Sequence, residues 1–190
     1  MADLFSTRRE RLILPVLAPF YTSFAEPVGW AVFRILVGGV LVYEGWPKIL
    51  APFGQSGFVE ALGFHPGWVF SPLLAAMQFF GGMLIAIGLL TRPLALANTV
   101  MLLVTLWFHY THPFGEVFFT PDGLAYLQAH ADMLTDAGKA RLLKDGGAVF
   151  LELVQGKAYY ASVFWAAAAA LIAAFGGGPL SVDRRLGREF

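Results

Sequence analysis

Residues 71–110 read SPLLAAMQFFGGMLIAIGLLTRPLALANTVMLLVTLWFHY, and this stretch decides the fold. Its one arginine, Arg92, falls at the centre, within Leu90-Thr91-Arg92-Pro93. A helix rising about 1.5 Å per residue needs about 20 mostly apolar residues to cross a hydrocarbon core. The flanks of Arg92 therefore predict two membrane spans, over 71–90 and 93–110. Their connection is so short that they must form an antiparallel hairpin.

Two further windows fit the same criterion, at 28–46 and 158–175. Pro27, Pro72 and Pro93 stand near expected helix starts, where a missing amide proton costs little. Pro47 and Pro113 stand near expected ends, since proline cannot continue a helix interior. The composition agrees: 57% of the 190 residues are hydrophobic and only 14% charged. A soluble domain carries about a quarter. The expected fold class is an all-α integral membrane protein, a bundle of four transmembrane helices with short surface helices in an extended outer loop.

Basic residues orient such a bundle. Arg8, Arg9 and Arg11 precede the first span, Arg92 marks the hairpin, and Arg184, Arg185 and Arg188 follow the last. An even number of spans puts all three groups on one side, which should be the cytoplasm of a bacterial inner membrane. The expected organisation is a basic cytoplasmic or interfacial tail over 1–27 and transmembrane helices over 28–110. An outer insertion over 111–157, a fourth span over 158–175 and a cytoplasmic tail over 176–190 follow. Thr7-Arg8-Arg9-Glu10-Arg11-Leu12-Ile13 has a twin-arginine look, but Pro15 and Pro19 interrupt the run behind it, so a surface segment is expected instead of a signal. Residues 48–70 should be an aromatic, glycine-rich loop. Within the insertion, Leu124, Leu127, Ala131 and Leu134 recur at helical spacing, and Phe150, Leu151 and Val154 suggest another short amphipathic piece.

Composition also excludes function classes. Thirteen basic and thirteen acidic residues cancel, so nothing favours nucleic acid. With no cysteine there are no disulfides, thiol chemistry or cysteine-held iron–sulfur clusters. No covalently bound cofactor is indicated.

Polar residues inside lipid are costly and therefore informative. On the first span Arg34, Gly38, Leu41, Gly45 and Lys48 share one face, which should turn Arg34 inward as either an anchor or a functional cation. Glu44 and Lys48 have the i, i+4 spacing of an ion pair. The second span aligns Gln78, Gly81, Gly82, Ile85 and Gly88, a close-packing stripe in which Gln78 should bridge helices. The third aligns Asn98, Thr105, His109 and His112. Histidines at that level relay protons, hydrogen-bond a quinone headgroup or bind metal. No metal centre is expected; His109 and His112 are the residues that would ligate one.

Three segments together resemble a known family. They are Arg34-Ile35-Leu36-Val37-Gly38 with Tyr43-Glu44-Gly45-Trp46-Pro47-Lys48, then Gly81-Gly82 through Gly88-Leu89-Leu90-Thr91-Arg92, and last Gly176-Gly177-Gly178-Pro179-Leu180-Ser181-Val182-Asp183-Arg184. In this order they resemble the DoxX family of small four-helix bacterial membrane proteins, related to the small DoxD-type subunit of thiosulfate:quinone oxidoreductase. Gln78 departs from the glutamate often found there, and the outer segment is longer than usual. The resemblance implies association with an oxidoreductase. The expected function is thus a membrane subunit of a quinone-linked system, not a complete enzyme alone, holding or bordering a quinone-like molecule. Arg34, Glu44, Lys48, Gln78, Asn98, His109 and His112 are the contact candidates. Lipid and a protein partner or second copy would surround it. The alternative is a noncatalytic accessory or assembly subunit of a larger membrane complex; a small-solute transporter is a third reading.

Overall fold

The computed structural model describes residues 12–111 and 121–188, and it is all-helical, with no strand among the described residues. Among the described residues four helices are long and apolar enough to cross a membrane. The major elements are α1 (Glu26–Leu50), α2 (Ser56–Ala61), α3 (Gly67–Ile87), α4 (Thr91–Thr111), α5 (Pro121–Ala129), α6 (Asp136–Leu143), α7 (Ala148–Phe175) and α8 (Val182–Arg185). Helices α3 and α4 have 21 residues each, or ~32 Å of rise, against a hydrocarbon core of about 30 Å.

The chain divides into two compact units, residues 1–99 with 168–190, and residues 100–167. In the first, α1 and α3 run antiparallel with their backbones almost touching. A Cβ built on Gly38 would lie 2.6 Å from the Gly82 carbonyl oxygen, and one on Gly45 would lie 2.8 Å from the Phe79 nitrogen. No larger residue fits either place without separating the helices. Arg34, Gly38, Leu41 and Gly45 are buried and Lys48 is half-buried, the face expected from their spacing. Gln78, Gly81, Gly82 and Ile85 form the buried stripe of α3.

Helix α3 ends in a left-handed glycine. Gly88 has φ 79° and donates toward Leu84 and Ile85, and Leu89 N reaches the Leu84 carbonyl at 2.9 Å. That closure reverses the chain within three residues and starts α4 at Thr91. Beyond α7, Gly176 and Gly178 also take positive φ (76° and 73°), and Ser181 Oγ caps α8 by accepting from Arg184 N at 3.2 Å.

Several boundaries differ from those read along the sequence. Helix α3 starts at Gly67, so Pro72 lies inside it. Pro47 falls within the last turn of α1, which continues to Leu50. The 48–70 connection contains α2. In the second unit α5 stops at Ala129, and Leu134 stands outside it after a 3₁₀ turn over Ala131–Met133. Phe150, Leu151 and Val154 are not a separate piece. They are early turns of α7, which begins ten residues before the expected position 158 because its apolar character continues upstream. In this unit Leu142 is fully buried, and a Cβ on Gly147 (φ 92°) would lie 3.1 Å from Leu124 Cδ1.

Candidate functional site

Among the described residues of the first unit, polar groups gather at opposite ends of the α1–α3 pair. One cluster lies where the C-terminal tail meets the α3–α4 turn, and the other where α2 meets α3.

At the tail end, Arg34 is 2% exposed. Its Nη1 donates to the Gly177 carbonyl and its Nη2 to the Leu180 carbonyl at 3.1 Å. The Nε is buried with no partner among the described residues. Arg34 is therefore an anchor for the Gly-Gly-Gly-Pro segment. The two backbone carbonyls are the groups a bidentate guanidinium fork satisfies well. Gly88 is required beside it, because a Cβ there would collide with the guanidinium. Trp30 adds a parallel tie, Nε1 donating to the Gly176 carbonyl at 3.0 Å. Asp183, 3% exposed, accepts from the amides of Leu90 (2.8 Å) and Thr91 (2.9 Å) and from the Thr91 hydroxyl (2.7 Å). Its own amide donates to the Gly88 carbonyl at 2.8 Å.

At the loop end, Lys48 Nζ donates to Gln78 Oε1 at 2.6 Å. The ammonium thus crosses from α1 to α3, and the helix-bridging role expected of Gln78 is the one observed. Glu44 is exposed, and its charge acts on the Lys48 ammonium one turn away, while the hydrogen bond goes to Gln78. Glu44 lines an open groove of ≈ 510 Å³ with Gly39, Val42, Tyr43, Trp46 and Pro47. Nearby, Ser71 Oγ donates to the Pro52 carbonyl at 2.6 Å and accepts from Gln55 N, and Glu60 Oε1 accepts from Gly67 N at 2.6 Å. These bonds fix α2 and its flanks against the start of α3.

Asn98 is fully buried, its Nδ2 donating to the Leu94 carbonyl at 2.9 Å and reaching the Met77 carbonyl at 3.5 Å. Its Oδ1 has no partner among the described residues. In the second unit, His109 is 3% exposed, and its backbone carbonyl accepts from Gln155 Nε2 at 3.5 Å. Thr105 turns its hydroxyl back onto Met101. His112 lies outside the described residues. Among the described residues no three His, Asp or Glu side chains converge as metal ligands would.

Within the first unit the sequence-derived candidates fall at separate places. Lys48 and Gln78 meet. Arg34 sits beside Gly88, ten residues or ~15 Å along α3 from Gln78. Asp183, Thr91 and Trp30 escaped the sequence reading, although Asp183 stood inside the quoted tail motif. The available signal was the pairing of Ser181 with Asp183 after a glycine run, a helix-start pattern.

Residues 29–111 match the DoxX family model. Among curated proteins the chain is similar to inner membrane protein YqjF of Escherichia coli strain K12, 36% identical over 87 residues. That alignment spans 46% of this chain and 65% of the relative, less than two thirds of its length. No solved structure matches the chain. The matched stretch holds α1 to α4, with the glycine contacts, the Lys48–Gln78 bridge and the turn at Gly88. Across 29–111, this membrane protein is thus similar to the DoxX family.

Proposed function

We propose that the chain is a membrane subunit of a quinone-linked oxidoreductase system, bordering the headgroup of a quinone-like molecule at its loop end. The observation that carries this reading is the hydrogen bond from Lys48 to Gln78, set between two apolar helices. An ammonium has three donors. One is given to Gln78, which leaves two for the carbonyl oxygens of a neutral planar diketone. Tyr43 and Trp46, both exposed, flank the groove beside Glu44 and offer aromatic surface at the level where a lipid-soluble ring would enter. Glu44 supplies a proton acceptor for the reduced form. Lys48, Gln78 and Glu44 are the contacts in this proposal, and Arg34 is given to the tail.

The same reading places the chain in the bacterial inner membrane, where the YqjF relative is named. Both termini face the cytoplasm by the arginine distribution. A redox partner docks on residues 111–157 and supplies or takes the electrons. A gentle purification from native membrane, with extraction and mass spectrometry of what remains bound, tests it. Stoichiometric quinone with a redox protein is expected; a complex containing neither overturns the proposal in favour of an assembly subunit.

A further inference from the structure

The tail beyond α7 presents charge in a way that its anchoring role does not use. Asp183 points inward and is taken up by Leu90 and Thr91. Arg184, Arg185 and Arg188 are exposed, and none of their side chains bonds to a described residue. The next acid, Glu189, lies outside the described residues, so three cations face one acid over 184–189.

These arginines are held on a fixed frame. Asp183 N bonds the Gly88 carbonyl at 2.8 Å, Leu186 N the Val182 carbonyl at 3.0 Å, and Arg188 N the Asp183 carbonyl at 3.0 Å. The frame also fixes their height. Gly88 to Leu90 joins two membrane-long helices, so whatever is bonded to that turn stands at a membrane boundary. Phe175 (45%), Leu180 (49%) and Leu186 (62%) flank the cations as exposed apolar side chains. Trp30, tied to Gly176, supplies the aromatic ring typical of an interface. Cations at headgroup level, with apolar side chains beside them, match a phospholipid better than a soluble protein.

We propose that the tail is a binding site for anionic phospholipid, with Arg184, Arg185 and Arg188 engaging the headgroup phosphate and Leu180 and Leu186 lying against the acyl chains. Arginine suits this ligand because its planar fork donates two parallel hydrogen bonds to phosphate oxygens. The site does not depend on the quinone reading.

The experiment uses the full-length protein purified in a mild detergent. Native mass spectrometry counts retained dioleoylphosphatidylglycerol against dioleoylphosphatidylcholine, with a thermal melt to confirm folding. Wild type should retain the anionic lipid at least tenfold better. Near fivefold per arginine, the triple variant R184Q/R185Q/R188Q should lose affinity by on the order of 100-fold while melting like wild type. The R184K/R185K/R188K variant should retain part of the preference. Inorganic phosphate should compete poorly, because it lacks the acyl chains. Equal retention of both lipids by wild type overturns the proposal, as it would if the arginines served a protein partner. So does undiminished phosphatidylglycerol binding by the folded glutamine variant.

Discussion

Asp183 Oδ2 accepts from both the amide and the hydroxyl of Thr91, 92 residues earlier in the chain. With Oδ1 on the Leu90 amide, the short helix α8 supplies the cap for the start of α4. A carboxylate at that position satisfies free amides and also meets the positive end of the helix dipole.

Asp183→Ala should strand those buried donors and destabilise the protein by about 2–4 kcal/mol. Asp183→Asn, which keeps an acceptor, should lose less. The check is thermal melting in detergent. A melt unchanged by the alanine substitution would show that the tail does not hold the α3–α4 turn.

Arg34→Ala should uncap the Gly177 and Leu180 carbonyls and cost about 3 kcal/mol. Less protein should then elute as a folded peak in size-exclusion chromatography. Arg34→Lys should rescue only part, since an ammonium lacks the two-pronged geometry. Full folding of the alanine variant, together with loss of bound quinone, would return Arg34 to the ligand site.

Gly38→Ala should force α1 and α3 apart, because the new Cβ meets only backbone: Gly82 O at 2.6 Å and Ala86 N at 2.7 Å. The expected penalty is about 1–3 kcal/mol. Gly39→Ala is its control, having open space at the same helix level. Similar melting of the two variants would refute the close approach.

Lys48→Met with Gln78→Leu removes both partners of the loop-end bridge and replaces them by apolar groups of similar size. Such a double change should alter stability by no more than about 1 kcal/mol, as no buried partner is left unpaired. Quinone recovered per mole of purified protein should fall at least tenfold. Wild-type quinone content in the folded double variant would dismiss the Lys48 site.

The long helices were legible because lipid imposes its demand locally: each span must be apolar over about 20 consecutive residues. The inward face of Arg34, Gly38, Leu41 and Gly45 was legible too, since helical period and small residues suffice to mark a contact. The start of α7 was not. Its upstream turns carry Glu152 and Lys157 among apolar residues, and the passage into the uninterrupted apolar stretch leaves no break in the backbone.

By itself the sequence determined that the chain is helical and membrane-embedded, which glycine faces pack, and that residues such as Arg34, Lys48 and Gln78 need partners. Only the tertiary structure decided which partners. Lys48 has the charge of Glu44 one turn away, yet its hydrogen bond goes to Gln78 on another helix. Arg34 found its acceptors in backbone carbonyls 143 and 146 residues later. The physical reason is that hydropathy is a property of neighbouring residues in a chain, whereas a hydrogen bond depends on which atoms folding brings within 3 Å, and backbone carbonyls carry no mark in the sequence.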